Sequence, residues 1–293
     1  MAPSSRTGQD LVLWAGTVRT APLPERVAAA ASTGYSAISL SPHDYRTARA
    51  SGLSDGDIRG MVSDAGLQVS CLDPFTRWLP RWEPPDGYPA DVLSFLGTEE
   101  SEFLQMAEAV GAQSMTVFEP FGVRWPDEVA AASLAAISRR GADAGLVVNV
   151  EFIPFLGIPD LAAAWRLVQL SGASEVGVVL DTWHYFRGAP DDDLLATIPG
   201  GRIGAVQLSD AALTPSGGLE NDCLHHRLPA GDGAFPLDRV LQTLQTTGGL
   251  HDVGPEIFSD SFDQRPATVN ARHALSGLQS WQAAAARQAA RPR

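Results

Sequence analysis

Eight short β-branched runs, each followed by a polar or Gly/Pro loop and an Ala/Leu-rich amphipathic stretch, set the strongest limit on what this chain can fold into. The runs lie at residues 11–16, 37–40, 68–72, 114–118, 147–151, 176–181, 203–208 and 252–258. Helix-like stretches fall between them at 23–33, 54–65, 99–110, 127–144, 159–170 and 237–246, with a last one at 267–286. Several open with Asp, Ser or Pro, where the first helical N–H groups need a cap or where a missing N–H costs nothing. Such alternation describes βα units around a parallel sheet. In a chain of 293 residues, eight units predict one α/β domain, a single (β/α)8 TIM barrel of about 250 residues. The barrel is expected over residues 11–280, with a disordered tail at 1–10 and a flexible tail at 281–293.

The second half of the chain carries a further pattern. VVNVE ends on Glu151, VGVVLD on Asp181, IGAVQ on Gln207 and VGPE on Glu256. A carboxylate closing a buried strand is costly to desolvate unless a charge offsets it, and a divalent cation does so. At the C-terminal mouth of a parallel barrel these four endings form one ring of ligands. Three carboxylates and an amide oxygen suit Mg2+, Mn2+ or Co2+, and Zn2+ also fits. For any one of these acids alone, a helix cap or an Arg partner is the simpler account; the joint pattern points to a metal-dependent enzyme.

The same mouth gathers other chemistry-bearing residues. In LDTWHYFRG, His184 lies three residues beyond Asp181, where its ring faces a substrate bound to the metal, and Trp183 and Phe186 flank it. In HHRLPAGDGAFPLDRVL, the rigid donor fork of Arg227 suits a substrate oxygen. Gly231 and Gly233 flank Asp232 in a turn that needs backbone freedom. His43 and Glu119 are weaker candidates for the pocket wall. After the third strand, residues 73–96 form a long loop with Phe75, Trp78, Trp82 and Tyr88 and with Arg77 and Arg81 between them. This loop is either a lid over the mouth or an ordered surface loop with its aromatics packed beneath it. Residues 210–235 are a second insertion.

Charge and cysteine usage exclude several classes. A formal net charge of -13 repels a nucleic acid duplex. No apolar run reaches the ~18 residues of a membrane span, and residues 1–10 lack the apolar core of a secretion signal, so a cytoplasmic protein without a membrane partner is expected. Cys71 and Cys223 have no metal-binding spacing and are assigned no catalytic role.

The order VNVEF, VLDTWH, VQLSDA, RLPAGDGAFPL, PEIFS resembles the sugar phosphate isomerase/epimerase group of xylose isomerase-like barrels over about residues 11–275. The resemblance implies that Glu151, Asp181, Gln207 and Glu256 are metal ligands, and that His184 and Arg227 touch substrate. It further implies that Glu151 and Glu256 shuttle a proton on opposite faces of a sugar, as in the ketose epimerases of the group. Many relatives place histidine where this chain has Gln207; a glutamine there is closer to hydroxypyruvate isomerases and dehydroshikimate dehydratases. Tagatose-type epimerases carry a second glutamate six residues after the first, and Gly157 stands there in this sequence.

The expected chemistry is proton abstraction beside a metal-chelated carbonyl, through an enediolate, by Glu151 or Glu256 with His184 assisting. Return of the proton gives an isomerase or epimerase. Loss of a β-substituent gives a lyase instead, either a dehydratase of dehydroshikimate or inosose type or a carbon-glycoside deglycosidase, which works with a small partner subunit. Trp183, Phe118, Trp78 and Arg227 are the expected substrate contacts. With Phe152, Phe155 and Phe186 they describe an apolar wall and no phosphate cradle, which suits a keto-sugar, a cyclitol or a glycoside. Barrels of this group often pair through βα loops, so the resemblance allows a homo-oligomer as well as a monomer. The rivals are an apurinic-site endonuclease, which needs more histidines and a basic face, and a non-catalytic barrel.

Overall fold

The structure is a computed structural model describing residues 10–289. Residues 1–9 and 290–293, where parts of both expected tails fall, lie outside the described residues. Eight strands run in chain order: β1 Val12–Leu13, β2 Ala37–Leu40, β3 Gln68–Phe75, β4 Ser114–Val117, β5 Val147–Glu151, β6 Gly177–Asp181, β7 Ile203–Leu208 and β8 Val253–Pro255. Each pairs in parallel with the next. A parallel bridge between Leu11 and Val253 brings β8 back to β1. The result is a single, nearly closed (β/α)8 barrel.

The runs read as continuous apolar segments because both faces of each strand are buried. Val12, Ala37, Cys71, Val179 and Ala205, from five strands, cluster together with Trp14 as an inner core. Their neighbours of opposite parity, such as Leu13, Ile38, Leu72, Val178 and Val206, pack into a larger core with the helices. Asn149 breaks the apolar pattern of β5 and fits because its neighbours are glycines: a Cβ at Gly204 or Gly177 would lie 1.9 or 2.6 Å from its Oδ1.

Several elements differ from the expected boundaries. Asp10 is tied down, its carboxylate accepting from Ser36 Oγ at 3.0 Å and Gln68 Nε2 at 2.8 Å. The last helix, Ala267–Ala289, continues past residue 280 into the segment expected to be a flexible tail. Helices Pro42–Ala50, Ala90–Leu96, Thr182–Arg187, Asp192–Thr197 and Leu219–His225 occupy stretches for which the sequence pattern names no helix. The first of these carries a legible signal, a capping box in which Ser41 and Asp44 satisfy each other's backbone N–H. No described helix is long and apolar enough to cross a membrane.

Candidate active site

The strand-end residues converge at one end of the barrel. Glu151 closes β5 and Asp181 closes β6, while the β6–β7 register sets Asp181 directly beside Gln207. Glu256 follows β8, its backbone N–H bonded to the Leu208 carbonyl at 2.9 Å. Asp181 also starts the helix Thr182–Arg187: its Oδ1 accepts from the N–H groups of Trp183 and His184 at 2.7 and 3.1 Å. This fixes the carboxylate and turns the His184 ring back over the strand ends. His184 Nε2 lies 3.4 Å from Glu151 Oε1 and 3.8 Å from Asp181 Oδ2.

Glu151, Asp181 and His184 offer ligand atoms that all lie within 4.8 Å of one another. His184 therefore belongs to the donor cluster itself, a closer placement than the substrate contact expected of it. Gln207 is buried beside this group, and both its Oε1 and Nε2 have no hydrogen-bond partner among the described residues. A buried amide without partners costs free energy unless a ligand is met there. An oxygen-rich set with one such amide and one imidazole fits a divalent cation.

Arg227 is the countercharge in this cluster. Its Nη1 donates to Asp181 Oδ2 at 2.6 Å and to the Glu256 carbonyl at 3.3 Å, and lies 3.9 Å from Glu256 Oε2. Its Nε and Nη2 donate to the Cys223 carbonyl and Sγ at 2.9 and 3.1 Å. The guanidinium is packed between the rings of Trp183 and Phe258, at 5.4 and 4.8 Å. Burial pushes the Cys223 thiol up to about 11, so it stays protonated at neutral pH as an acceptor for Arg227.

One site residue escapes the sequence reading. The third run was ended at Leu72, but β3 continues to Phe75 and places Asp73 on the mouth beside the other acids. The signal is present in the sequence, since QVSCLD ends on an acid just as VGVVLD does, although the Pro74 that follows is a residue central strands seldom carry. Burial, followed by Glu151 and Asp181, raises the Asp73 carboxyl well above the usual carboxylate range. Burial and Asp181 do the same to Glu256, against the opposing pull of Arg227. Asp181 goes the other way: burial would raise it, but Arg227 and His184 outweigh burial and hold it low.

A stability profile follows from these directions. Asp73 and Glu256 keep their protons when folded at pH values where the unfolded chain has released them. The folded state then binds more protons, so stability falls as pH rises above the ordinary carboxylate range toward the raised values. The Asp181 contribution is present above the ordinary range and is lost only as pH falls below it. The chelator-treated protein is therefore expected to melt at a higher temperature near about pH 5.5 than near about pH 8, with saturating Mg2+ or Mn2+ flattening the slope. A chelated protein with level melting temperatures across this window would contradict the assignment.

Above the acids opens a cavity of about 740 Å³. Phe118 lines it, as do His43, His184, Arg227, Asp73, Glu151 and Glu256. Two expected substrate contacts are not on its wall. Trp78 is 3% exposed and turned into the core, where its Nε1 holds the Phe118 carbonyl at 2.9 Å. Trp183 is 0% exposed and acts as a plate under Arg227 and His184, its Nε1 donating to Asp222 at 2.9 Å. Asp232 faces away, paired with His273, and His225 pairs with Asp260. The segment 73–96 is thus divided: Trp78 packs inward, while Tyr88, Val92 and Phe95 face the cavity.

Glu119 holds the wall together from behind. Its carboxylate accepts from the backbone N–H groups of Phe121, Val123 and Gly157 at 3.0, 3.0 and 2.9 Å, tying the loop after β4 to the loop after β5. A Cβ at Gly157 would lie 2.2 Å from the Val123 carbonyl and 2.5 Å from Glu119 Oε2, so glycine is required there. Replacing Glu119 with Ala should lower the melting temperature, since each amide left without an acceptor costs about 1–3 kcal/mol when water cannot replace it. Hydrogen exchange at Val123 and Gly157 should speed up; unchanged protection at both would refute the role.

Known proteins resemble this chain over part or most of its length. The family described as xylose isomerase-like TIM barrel matches residues 27–281. A 3-dehydroshikimate dehydratase of Pseudomonas aeruginosa is 26% identical over 268 residues, covering 87% of this chain and 39% of that protein. An inosose isomerase of Halalkalibacterium halodurans is 26% identical over 136 residues, 46% of this chain and 47% of that protein. The chain therefore spans less than half the length of either relative. Among solved structures, the IolI protein with a bound zinc atom superposes with a TM-score of 0.80 at 18% identity, over 93% of this chain and 97% of that one.

Proposed function

Because the chain belongs to the xylose isomerase-like TIM barrel family, we propose that it is a divalent-metal-dependent enzyme that moves a proton next to the carbonyl of a sugar-like keto-polyol, as an isomerase or epimerase. The observation that carries this reading is the buried amide of Gln207, without a hydrogen-bond partner among the described residues, beside a cluster of acids balanced by the Arg227 guanidinium. Glu151, Asp181, Gln207 and Glu256 would hold the ion, with His184 close enough to join or replace one of them. A divalent cation there would withdraw electron density from a carbonyl oxygen and make the adjacent C–H more acidic.

The remaining work falls to the chain's own groups. Glu151 and Glu256 approach the mouth from different strands, so one can take a proton and the other return one from a second direction. His184 Nδ1 is buried without a partner among the described residues, and Nε2 faces Glu151, which suits it to relay a proton to a neighbouring substrate oxygen. Arg227 keeps Asp181 ionised and orients it. A lyase of the dehydratase type is the second reading, favoured by the dehydroshikimate dehydratase relative, 26% identical over 87% of this chain. There the same abstraction would be followed by loss of a hydroxyl.

Metal analysis of the purified protein together with solvent-deuterium uptake into keto-sugars and inososes tests this reading. About one divalent ion per chain, lost in Glu151→Ala, and deuterium incorporation only in the loaded protein are expected. A protein that neither retains nor rebinds a divalent ion would remove the basis of the proposal.

A further inference from the structure

The cavity is larger and more apolar than a sugar ring requires. Its volume of about 740 Å³ lies in the upper part of the ~300–1,000 Å³ range that holds drug-sized ligands. One hexose at the acids would leave much of it as water against hydrocarbon. Tyr88, Phe95, Phe121, Phe155 and Leu156 supply apolar surface on its wall. Phe121 is clamped in place by edge contacts with Trp82 and Tyr88 at 5.2 and 5.4 Å, so this surface is preformed. Phe95, 38% exposed, adds its ring to this wall at the open mouth.

The charges around the cavity are equally selective. The chain contains no lysine, and each arginine on the wall is already engaged. Arg19 binds Asp263 with Nε and Nη2 at 3.0 and 2.6 Å, and its Nη1 holds the Leu224 carbonyl at 2.8 Å. Arg26 pairs with Asp44 at 2.9 Å and donates to the Ala21 and Arg19 carbonyls at 2.7 and 2.8 Å. Arg227 is held by Asp181 and Cys223. Against them stand Asp73, Glu151, Glu256 and Glu220 on the same wall. Arg19, Arg26 and Arg227 each already face an acid, so among the described residues of this wall no unpaired arginine is left to receive a phosphate or a carboxylate.

We infer that the substrate is uncharged and joins a polyol ring, seated at the acids, to an apolar ring-bearing substituent that lies against Tyr88, Phe95, Phe121 and Phe155. This rests on the proposed reaction for the seat of the polyol, while the apolar half stands on the wall alone. It sets the chain apart from a relative named for dehydroshikimate, which is a carboxylate.

Calorimetric binding, with and without Mn2+, of three probes tests it: the methyl glycoside of a keto-hexose, the phenyl glycoside of the same sugar, and the methyl glycoside bearing a 6-phosphate. The phenyl probe should bind at least about ten-fold tighter than the methyl one, as burial of a phenyl ring requires. The preference should shrink several-fold in Phe95→Ser and in Tyr88→Ser, two positions at the mouth where folding can be verified by melting. Equal binding of methyl and phenyl probes, tighter binding of the phosphate, or no binding of any probe would overturn the inference. Absence of deuterium uptake with a phenyl preference intact would instead overturn the reaction and leave the substrate class standing.

Discussion

Glu256→Gln should reduce proton transfer by about 10²–10⁴-fold, the range general acid–base catalysis supplies, while leaving the barrel folded. The substitution keeps the size of the side chain and the backbone carbonyl that Arg227 Nη1 meets at 3.3 Å. It removes an acid that burial and Asp181 already push toward its neutral form. The chelated variant should therefore melt no lower than the parent near neutral pH. Deuterium uptake and melting measured on the same preparation separate chemistry from folding. A variant with full exchange activity would remove Glu256 from the catalytic pair.

The largest effect on stability is expected at Arg227. Arg227→Met keeps much of the hydrocarbon between Trp183 and Phe258 but leaves the carboxylate of Asp181, 0% exposed, without its 2.6 Å partner. Breaking a buried pair in this way costs about 3–5 kcal/mol, because the remaining charge is stranded. Arg227→Lys should rescue little, since an ammonium cannot reach Asp181, the Cys223 carbonyl and Cys223 Sγ together as the planar fork does. Saturating Mn2+ should restore part of the loss by supplying the missing positive charge. Denaturant titrations with and without the ion provide the measurement; an Arg227→Met protein as stable as the parent would show that Asp181 is compensated from elsewhere.

The barrel was legible because each strand, buried on both faces, is a short apolar run, and because Asp181 and its counterparts interrupt those runs where burial should forbid it. What the sequence concealed has physical causes as well. Asp73 followed the same rule as Asp181, but Pro74 at the next position is a breaker in most strands, and here β3 runs through it to pair Phe75 with Val117. Trp78, expected at the substrate, turns into the core instead, since aromatic content in a loop says nothing about which way a ring turns. The place of His184 depends on the Asp181 cap, a hydrogen bond set by backbone geometry. The helix Pro42–Ala50 was announced by its Ser41–Asp44 box; the short helices Ala90–Leu96 and Leu219–His225 have no side-chain cap to announce them.

The acids sit at strand ends of the sheet, whereas the part of the apolar wall formed by Phe121, Phe155 and Leu156 hangs from two loops gathered by one carboxylate, Glu119, through three amides. Chemistry and recognition are thereby inherited separately. A lineage can exchange the loops around Glu119 and meet a new substituent without disturbing the ring of acids, and a single change at that residue frees both of the loops it joins at once.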